Sequence, residues 1–119
     1  MKRKYSLYLS DIIQAIEKIA EFTAGYDFER FLTDDKTNSA VIRKIEIIGE
    51  AVKQIPESIT ATYDEIPWKQ MARIRDKLIH GYFGLDLAVV WEVVNYQLPA
   101  LKDKFKEIYT VLLKSDEAP

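Results

Sequence analysis

Apolar residues recur at helical spacing along four long segments of this 119-residue chain, and this periodicity points to a helical fold. The segments cover about residues 6–23, 39–55, 68–79 and 87–112. No stretch shows a convincing strand pattern. The sequence therefore predicts one all-α domain over residues 1–119. Its architecture is expected to be four main helices in an up-and-down bundle with one additional short helix.

Local signals predict where these helices begin and bend. Asn38 or Ser39 is predicted to cap the second main helix, and Asp86 the fourth, because such side chains accept backbone hydrogen bonds at helix starts. The short helix is predicted at about 27–32. Pro99 cannot donate a backbone hydrogen bond, so it is predicted to kink the fourth helix.

The chain has no cysteine and a single histidine. This excludes disulfides and thiolate metal sites and argues against a zinc or iron site built from protein ligands. Magnesium held by carboxylates stays open, but no cofactor is predicted. Ser10 and Asp11 interrupt the apolar run after the basic N-terminus, so no signal peptide is predicted, and no segment reaches the ~20 apolar residues of a membrane span. Together with the absence of cysteine, this predicts a cytoplasmic protein.

The stretch best suited to chemistry contains the one histidine, His80. The unperturbed pKa of histidine lies near neutral, which suits proton transfer. Asp76 lies four residues earlier, on the same helix face, where its carboxylate can orient one ring nitrogen. Arg75 offers a planar fork of donors that suits a phosphate, and Tyr82 follows the glycine that ends the helix. A histidine at a helix C-terminus is also favourable through the helix dipole alone, so a structural role stays open.

Cations gather near this stretch although the net charge of the whole chain is −2. Lys69, Arg73 and Lys77 are accompanied by only one carboxylate within residues 68–82. A polyanionic substrate is therefore predicted to bind there. Glu50, in the second main helix, is either a surface charge or a partner of this basic group.

Arg75 and His80 are five residues apart, roughly 140° around an ideal helix. One helix therefore does not bring them together unless the arginine side chain curls round. A second copy of the chain could do so across a twofold axis, which would place the site at a dimer interface. The second and fourth main helices are the candidates for the interface.

The signature Arg75-Asp76-Lys77-Leu78-Ile79-His80-Gly81-Tyr82, together with the blocks Ile48-Gly49-Glu50-Ala51-Val52 and Ile66-Pro67-Trp68, resembles the HepT-like branch of the HEPN superfamily. The resemblance covers nearly the whole chain. It implies a ribonuclease toxin of a toxin–antitoxin pair that works as a homodimer and cleaves RNA without a metal.

Carried onto this chain, the resemblance assigns His80 as the acid/base and Arg75 as the phosphate-stabilising cation. It assigns Tyr82 as the acceptor of AMP from a partner minimal nucleotidyltransferase, the antitoxin. Two other functions stay open. One is a non-catalytic subunit that binds a nucleotide or docks the nucleotidyltransferase, and the other is a purely structural helical dimer.

Overall fold

The computed structural model describes residues 3–79 and 86–117. Within these residues the regular elements are all helices, joined by turns and loops, and there is no strand. The elements in chain order are α1 (Tyr5–Thr23), α2 (Phe28–Thr33), α3 (Asp35–Lys53), α4 (Glu57–Thr60), α5 (Trp68–Ile79), α6 (Leu87–Glu92), a π-helical turn (Val93–Gln97) and α7 (Leu98–Glu117). The α6 helix, the π-turn and α7 follow one another without a break and form the fourth main helix. The predicted all-α fold is confirmed.

The core forms around α1, which packs against both α3 and α7. Leu9 and Ile12 of α1 are fully buried, as is Phe105 of α7. The ring of Phe31 in α2 lies 5.0 Å from that of Trp91 in α6, measured between centroids. Burial of these apolar side chains is the main source of stability for such a bundle. The α5 helix packs chiefly against α3.

The start of α3 differs from the prediction. Asp34, not Asn38 or Ser39, is the N-cap, and its Oδ1 accepts a hydrogen bond from the Thr37 backbone at 3.1 Å. Asn38 lies one turn inside the helix, where its buried side chain donates to the Phe31 carbonyl at 3.1 Å. The prediction was wrong because residues 35–38, the first turn of α3, are all polar and carry no apolar period that would mark the start of the helix.

The predicted Asp86 cap of the fourth helix is confirmed, and the kink at Pro99 stays a prediction. Asp86 caps α6, accepting a hydrogen bond from the Ala88 backbone at 2.9 Å. The π-turn occupies the residues just before Pro99, and the Leu98 amide donates to the Val93 carbonyl five residues earlier. Because proline lacks the N–H that would continue the ladder, the helix changes its hydrogen-bond register in this region.

Among the described residues, no helix combines the length and the apolar character needed to cross a lipid bilayer.

The cap of α3 is reinforced by a side-chain network. Tyr26 donates to Asp34 Oδ2 at 2.6 Å, and the Thr37 hydroxyl donates to the same oxygen at 2.8 Å. These hydrogen bonds, first that from Tyr26, lower the pKa of the Asp34 carboxyl below its ordinary value. The ionised form of Asp34 therefore stabilises the folded state.

We expect acid to weaken this network. An aspartate with a lowered pKa contributes stability that is present above its unfolded value near 4 and is lost as the pH falls through the folded value. Tyr26→Phe should therefore lower the melting temperature at pH 7 and make its decrease between about pH 5 and pH 3 shallower than in the wild type. Tyr96→Phe, at an exposed tyrosine, is the matched control and should follow the wild type. Identical melting curves for the two variants across this range would contradict the role assigned to Tyr26.

Candidate active site

Arg75 projects from α5 toward α3, and its side chain is only 24% exposed. The two helices meet closely at this point because residue 49 of α3 is glycine. A Cβ atom on Gly49 would lie 2.1 Å from Arg75 Cβ, 2.8 Å from Arg75 Cγ and 3.2 Å from the Met71 carbonyl oxygen. The first two distances are shorter than any normal contact. The aliphatic stem of Arg75 can therefore lie where it does only because glycine has no side chain.

Two carboxylates face the Arg75 guanidinium. Asp76 Oδ1 accepts a hydrogen bond from Arg75 Nη1 at 3.1 Å, and Glu50 Oε1 lies 3.7 Å from Arg75 Nη2. The Nε atom of Arg75 is buried and has no hydrogen-bond partner among the described residues. The two Nη groups are therefore the part of Arg75 that engages charged groups.

Each of these carboxylates also contacts a cation from α3. Lys53 donates to Asp76 Oδ1, and Arg43 Nη1 lies 3.9 Å from Glu50 Oε1. The hydrogen bond from Lys53, followed by that from Arg75, lowers the pKa of the Asp76 carboxyl. Arg43 Nη1 also donates to Glu46 Oε2 at 3.2 Å. We call these six residues (Arg43, Glu46, Glu50, Lys53, Arg75 and Asp76) the Arg75 charge cluster. Its three cations are balanced by three carboxylates, so the cluster is neutral overall.

The structure settles one alternative and adds two residues. Glu50 is a partner of Arg75 rather than an isolated surface charge. Lys53 and Arg43 did not emerge from sequence reasoning. A signal was present, because Arg43, Glu50 and Lys53 follow one another at spacings of seven and three residues, which places them on one face of α3.

The three predicted substrate-binding cations lie elsewhere on α5. Lys69, Arg73 and Lys77 are exposed, and none of them forms an ion pair with a carboxylate in the part of the chain that the structure describes. They recur every four residues, so they form a ridge with about 6 Å between neighbours along the helix axis. Arg73 lies about 160° around the helix from Arg75, so the ridge and the Arg75 charge cluster occupy different sides of α5.

His80 and Tyr82 lie outside the described residues, so the catalytic and modification roles predicted for them stay predictions. The same holds for the orientation of His80 by Asp76. Asp76 itself is described, and its contacts with Lys53 and Arg75 place it within the charge cluster.

The fold and this site define a small all-α protein with a partly buried arginine in the seam between two helices, five residues before a His-x-Tyr sequence. Residues 12–108 match the ribonuclease HepT-like family, and the chain belongs to that family. The resemblance to the HepT-like branch of the HEPN superfamily is thereby confirmed.

Several relatives match almost end to end. The chain is 55% identical to a Thermococcus cleftensis protein named "Probable ribonuclease HepT", over 91% of this chain and 98% of the relative. It is 42% identical to the Methanocaldococcus jannaschii protein named "Putative RNase MJ0127", over 98% of this chain and 96% of the relative. A Caldanaerobacter subterraneus protein named "Putative RNase TTE0752" is 42% identical over 85% of this chain and 90% of the relative. No solved structure matches the chain.

The close approach at Gly49 predicts that Gly49→Ala destabilises the protein, although helix propensity alone would predict that it stabilises. In an unconstrained helix interior, Gly→Ala stabilises by about 1 kcal/mol. At Gly49 the added methyl group would overlap the Arg75 stem, so Gly49→Ala should instead lower the free energy of unfolding by about 1–3 kcal/mol, as overpacking does. Urea denaturation measures the change. Ser39→Ala, on the exposed face of the same helix, should stay within about 0.5 kcal/mol of wild type. A stabilised Gly49→Ala protein would show that the helices do not depend on this contact.

Proposed function

We propose that this protein is a metal-independent RNA endonuclease and the toxin of a toxin–antitoxin pair, with Arg75 and His80 as its catalytic residues. The observation that supports this most is the state of Arg75. Its stem is held against α3, and each carboxylate that its guanidinium contacts is shared with a second cation. Membership of the ribonuclease HepT-like family and the ribonuclease names of the relatives support the substrate class.

In the proposed reaction, the 2′-hydroxyl of RNA attacks the adjacent phosphorus. The new 2′-O–P bond forms as the P–O5′ bond breaks, which leaves a 2′,3′-cyclic phosphate and a free 5′-hydroxyl. His80 serves as the acid/base for the protons that leave the attacking oxygen and reach the departing one. Arg75 offsets the negative charge that builds on the phosphoryl oxygens. The proton lost by the 2′-hydroxyl is balanced by the proton gained by the 5′-oxygen, so the step needs no metal and no co-reactant.

The surrounding residues have supporting roles in this proposal. Asp76, four residues before His80, orients the imidazole through one ring nitrogen. Lys69, Arg73 and Lys77 bind RNA phosphates beyond the scissile one. The exposure of these three cations and their lack of described carboxylate partners favour that role over one in folding. Contacts of this kind add affinity without sequence preference and weaken as salt concentration rises.

The proposed active form is a homodimer. Val89 and Val111 on the fourth main helix are exposed, to 51% and 49% of their maxima, and apolar side chains of this kind are suited to an interface. A dimer would also supply the second copy that brings an arginine of one protomer near a histidine of the other. The proposed antitoxin is a minimal nucleotidyltransferase that transfers AMP to Tyr82.

A second candidate function is a non-catalytic subunit that binds a nucleotide or docks the nucleotidyltransferase. The partly buried Arg75 guanidinium favours it to the same degree, because a guanidinium binds a nucleotide phosphate as readily as an RNA phosphate. Nucleotide affinity without RNA cleavage would identify this function.

The test is cleavage of a labelled single-stranded RNA by the purified, unmodified protein in EDTA. We expect cleavage with a 2′,3′-cyclic phosphate end. His80→Ala should lower the rate by about 10²–10⁴-fold, the usual contribution of general acid–base catalysis, and Arg75→Ala by about 10²–10³-fold. Lys18→Gln, on α1, should cleave like the wild type. A full rate for His80→Ala would remove His80 from the mechanism, and dependence on an added metal would overturn the metal-free reaction.

Mixing the two inactive variants tests the arrangement of the site. If Arg75 and His80 of different protomers share one site, chains carrying Arg75→Ala and chains carrying His80→Ala should restore partial cleavage together after exchange. A folded mixture that has exchanged subunits and stays inactive would overturn the shared site.

Modification of Tyr82 predicts a separate result. Attached AMP would place an anion beside the site, which repels RNA phosphate and can capture a nearby cation. Incubation with the partner nucleotidyltransferase and ATP should therefore add the mass of AMP to the wild type and abolish its cleavage. Tyr82→Phe should gain no mass and keep cleaving, whereas Tyr96→Phe should behave like the wild type. Loss of activity in treated Tyr82→Phe would place the modification at another residue.

A further inference from the structure

Arg75 shares both of its carboxylate contacts with cations of α3, and it shares them at the same oxygen atoms. Asp76 Oδ1 accepts from Arg75 Nη1 at 3.1 Å and also from Lys53 Nζ. Glu50 Oε1 lies 3.7 Å from Arg75 Nη2 and 3.9 Å from Arg43 Nη1. Neither carboxylate is therefore available to Arg75 alone.

We propose that Lys53 and Arg43 are positioning residues that keep the Arg75 guanidinium available to an RNA phosphate by sharing the two carboxylates that hold it. The inference rests on the proposed function and extends it to two residues outside the Arg-x4-His-x-Tyr signature. Lys53 has the larger share of this role, because it bonds directly to Asp76, whereas the nearest guanidinium nitrogen of Arg43 lies 3.9 Å from Glu50.

The physical argument concerns two opposite requirements on one side chain. A partly buried guanidinium needs hydrogen-bond acceptors, because leaving it without them is costly. A phosphate site needs a cation that its own carboxylate partners do not fully neutralise. With Lys53 and Arg43 present, both carboxylates that hold Arg75 are shared, and the cluster balances three cations against three carboxylates. Loss of either cation leaves two cations facing three carboxylates, so the cluster becomes anionic and a carboxylate is released to compete with the phosphate.

The experiment measures binding of a fluorescent single-stranded 2′-O-methyl RNA, whose blocked 2′-oxygen cannot attack, to the full chain at fixed ionic strength. Lys53→Gln should weaken binding about fivefold to tenfold, a coupling typical of residues in one ion-pair network. Lys53→Arg keeps the charge and should stay within about twofold of wild type. Lys18→Gln is the matched control. It also removes one positive charge, from the Lys18–Glu21 ion pair of 3.1 Å on α1, and its affinity should stay within about twofold of wild type.

A double-mutant cycle separates an effect through Arg75 from a direct contact between Lys53 and RNA. In an Arg75→Gln background, adding Lys53→Gln should change the affinity by less than about twofold, because the side chain it positions is gone. An undiminished loss in that background would make Lys53 a phosphate contact and overturn the proposal. So would wild-type affinity for Lys53→Gln alone.

Arg43→Gln is the second variant. It should weaken binding in the same direction but less, and its effect should also vanish with Arg75→Gln. Melting temperatures show whether each variant is folded. If Lys53→Gln is unfolded, the double-mutant cycle of Arg43→Gln with Arg75→Gln decides whether the α3 cations act through Arg75. Because binding is measured without cleavage, the two proposals fail separately. If the protein does not cleave RNA but the double-mutant cycle shows coupling between Lys53 and Arg75, the nuclease proposal is rejected. If the protein cleaves RNA but the cycle shows no coupling, the role of Lys53 and Arg43 is rejected.

Discussion

The contact on which the candidate site depends is the close approach of α3 and α5 at Gly49. A side chain at this position would occupy the space of the Arg75 Cβ and Cγ atoms. Since none is present, the aliphatic stem of Arg75 lies against α3 and only its charged end reaches the edge of the seam, as expected for a long amphipathic side chain. The arginine is thereby held by packing, so less of its conformational freedom remains to be lost when it binds a phosphate.

The same packing creates an electrostatic problem that the neighbouring residues solve. Glu50 and Asp76 supply the acceptors that a partly buried guanidinium requires. If they served Arg75 alone, they would cancel its charge. Lys53 and Arg43 each share one of these oxygens, so Arg75 is restrained by carboxylates that it does not hold alone. In the proposed nuclease this restraint would serve an anionic transition state, because donors held in place stabilise developing charge without reorganising first.

The largest fully buried side chains and the candidate site are located in different parts of the bundle. The fully buried side chains of α1 and α7, the aromatic contact between α2 and α6, and the Asp34 cap of α3 hold the fold together. The Arg75 charge cluster lies at the seam of α3 and α5, where its side chains are partly exposed. The ridge formed by Lys69, Arg73 and Lys77 occupies another side of α5. One twelve-residue helix therefore presents two differently charged surfaces.

The sequence by itself determined the all-α class, the extents of α1 and α5, the start of the fourth main helix, the Asp86 cap and the candidacy of Arg75, because helical periodicity, caps and short motifs are local properties of the chain. It ended the fourth main helix near residue 112, whereas the helix continues to Glu117. It also misplaced the cap of α3, since a polar first turn has no apolar period. Only the tertiary structure decided that Gly49 meets Arg75, that Lys53 pairs with Asp76 across 23 residues, and that Glu50 is a partner rather than a surface charge. Spacing within each helix fixes which residues share a face. It does not contain the rotation and separation of one helix against another, and those come from how the side chains of the whole bundle pack.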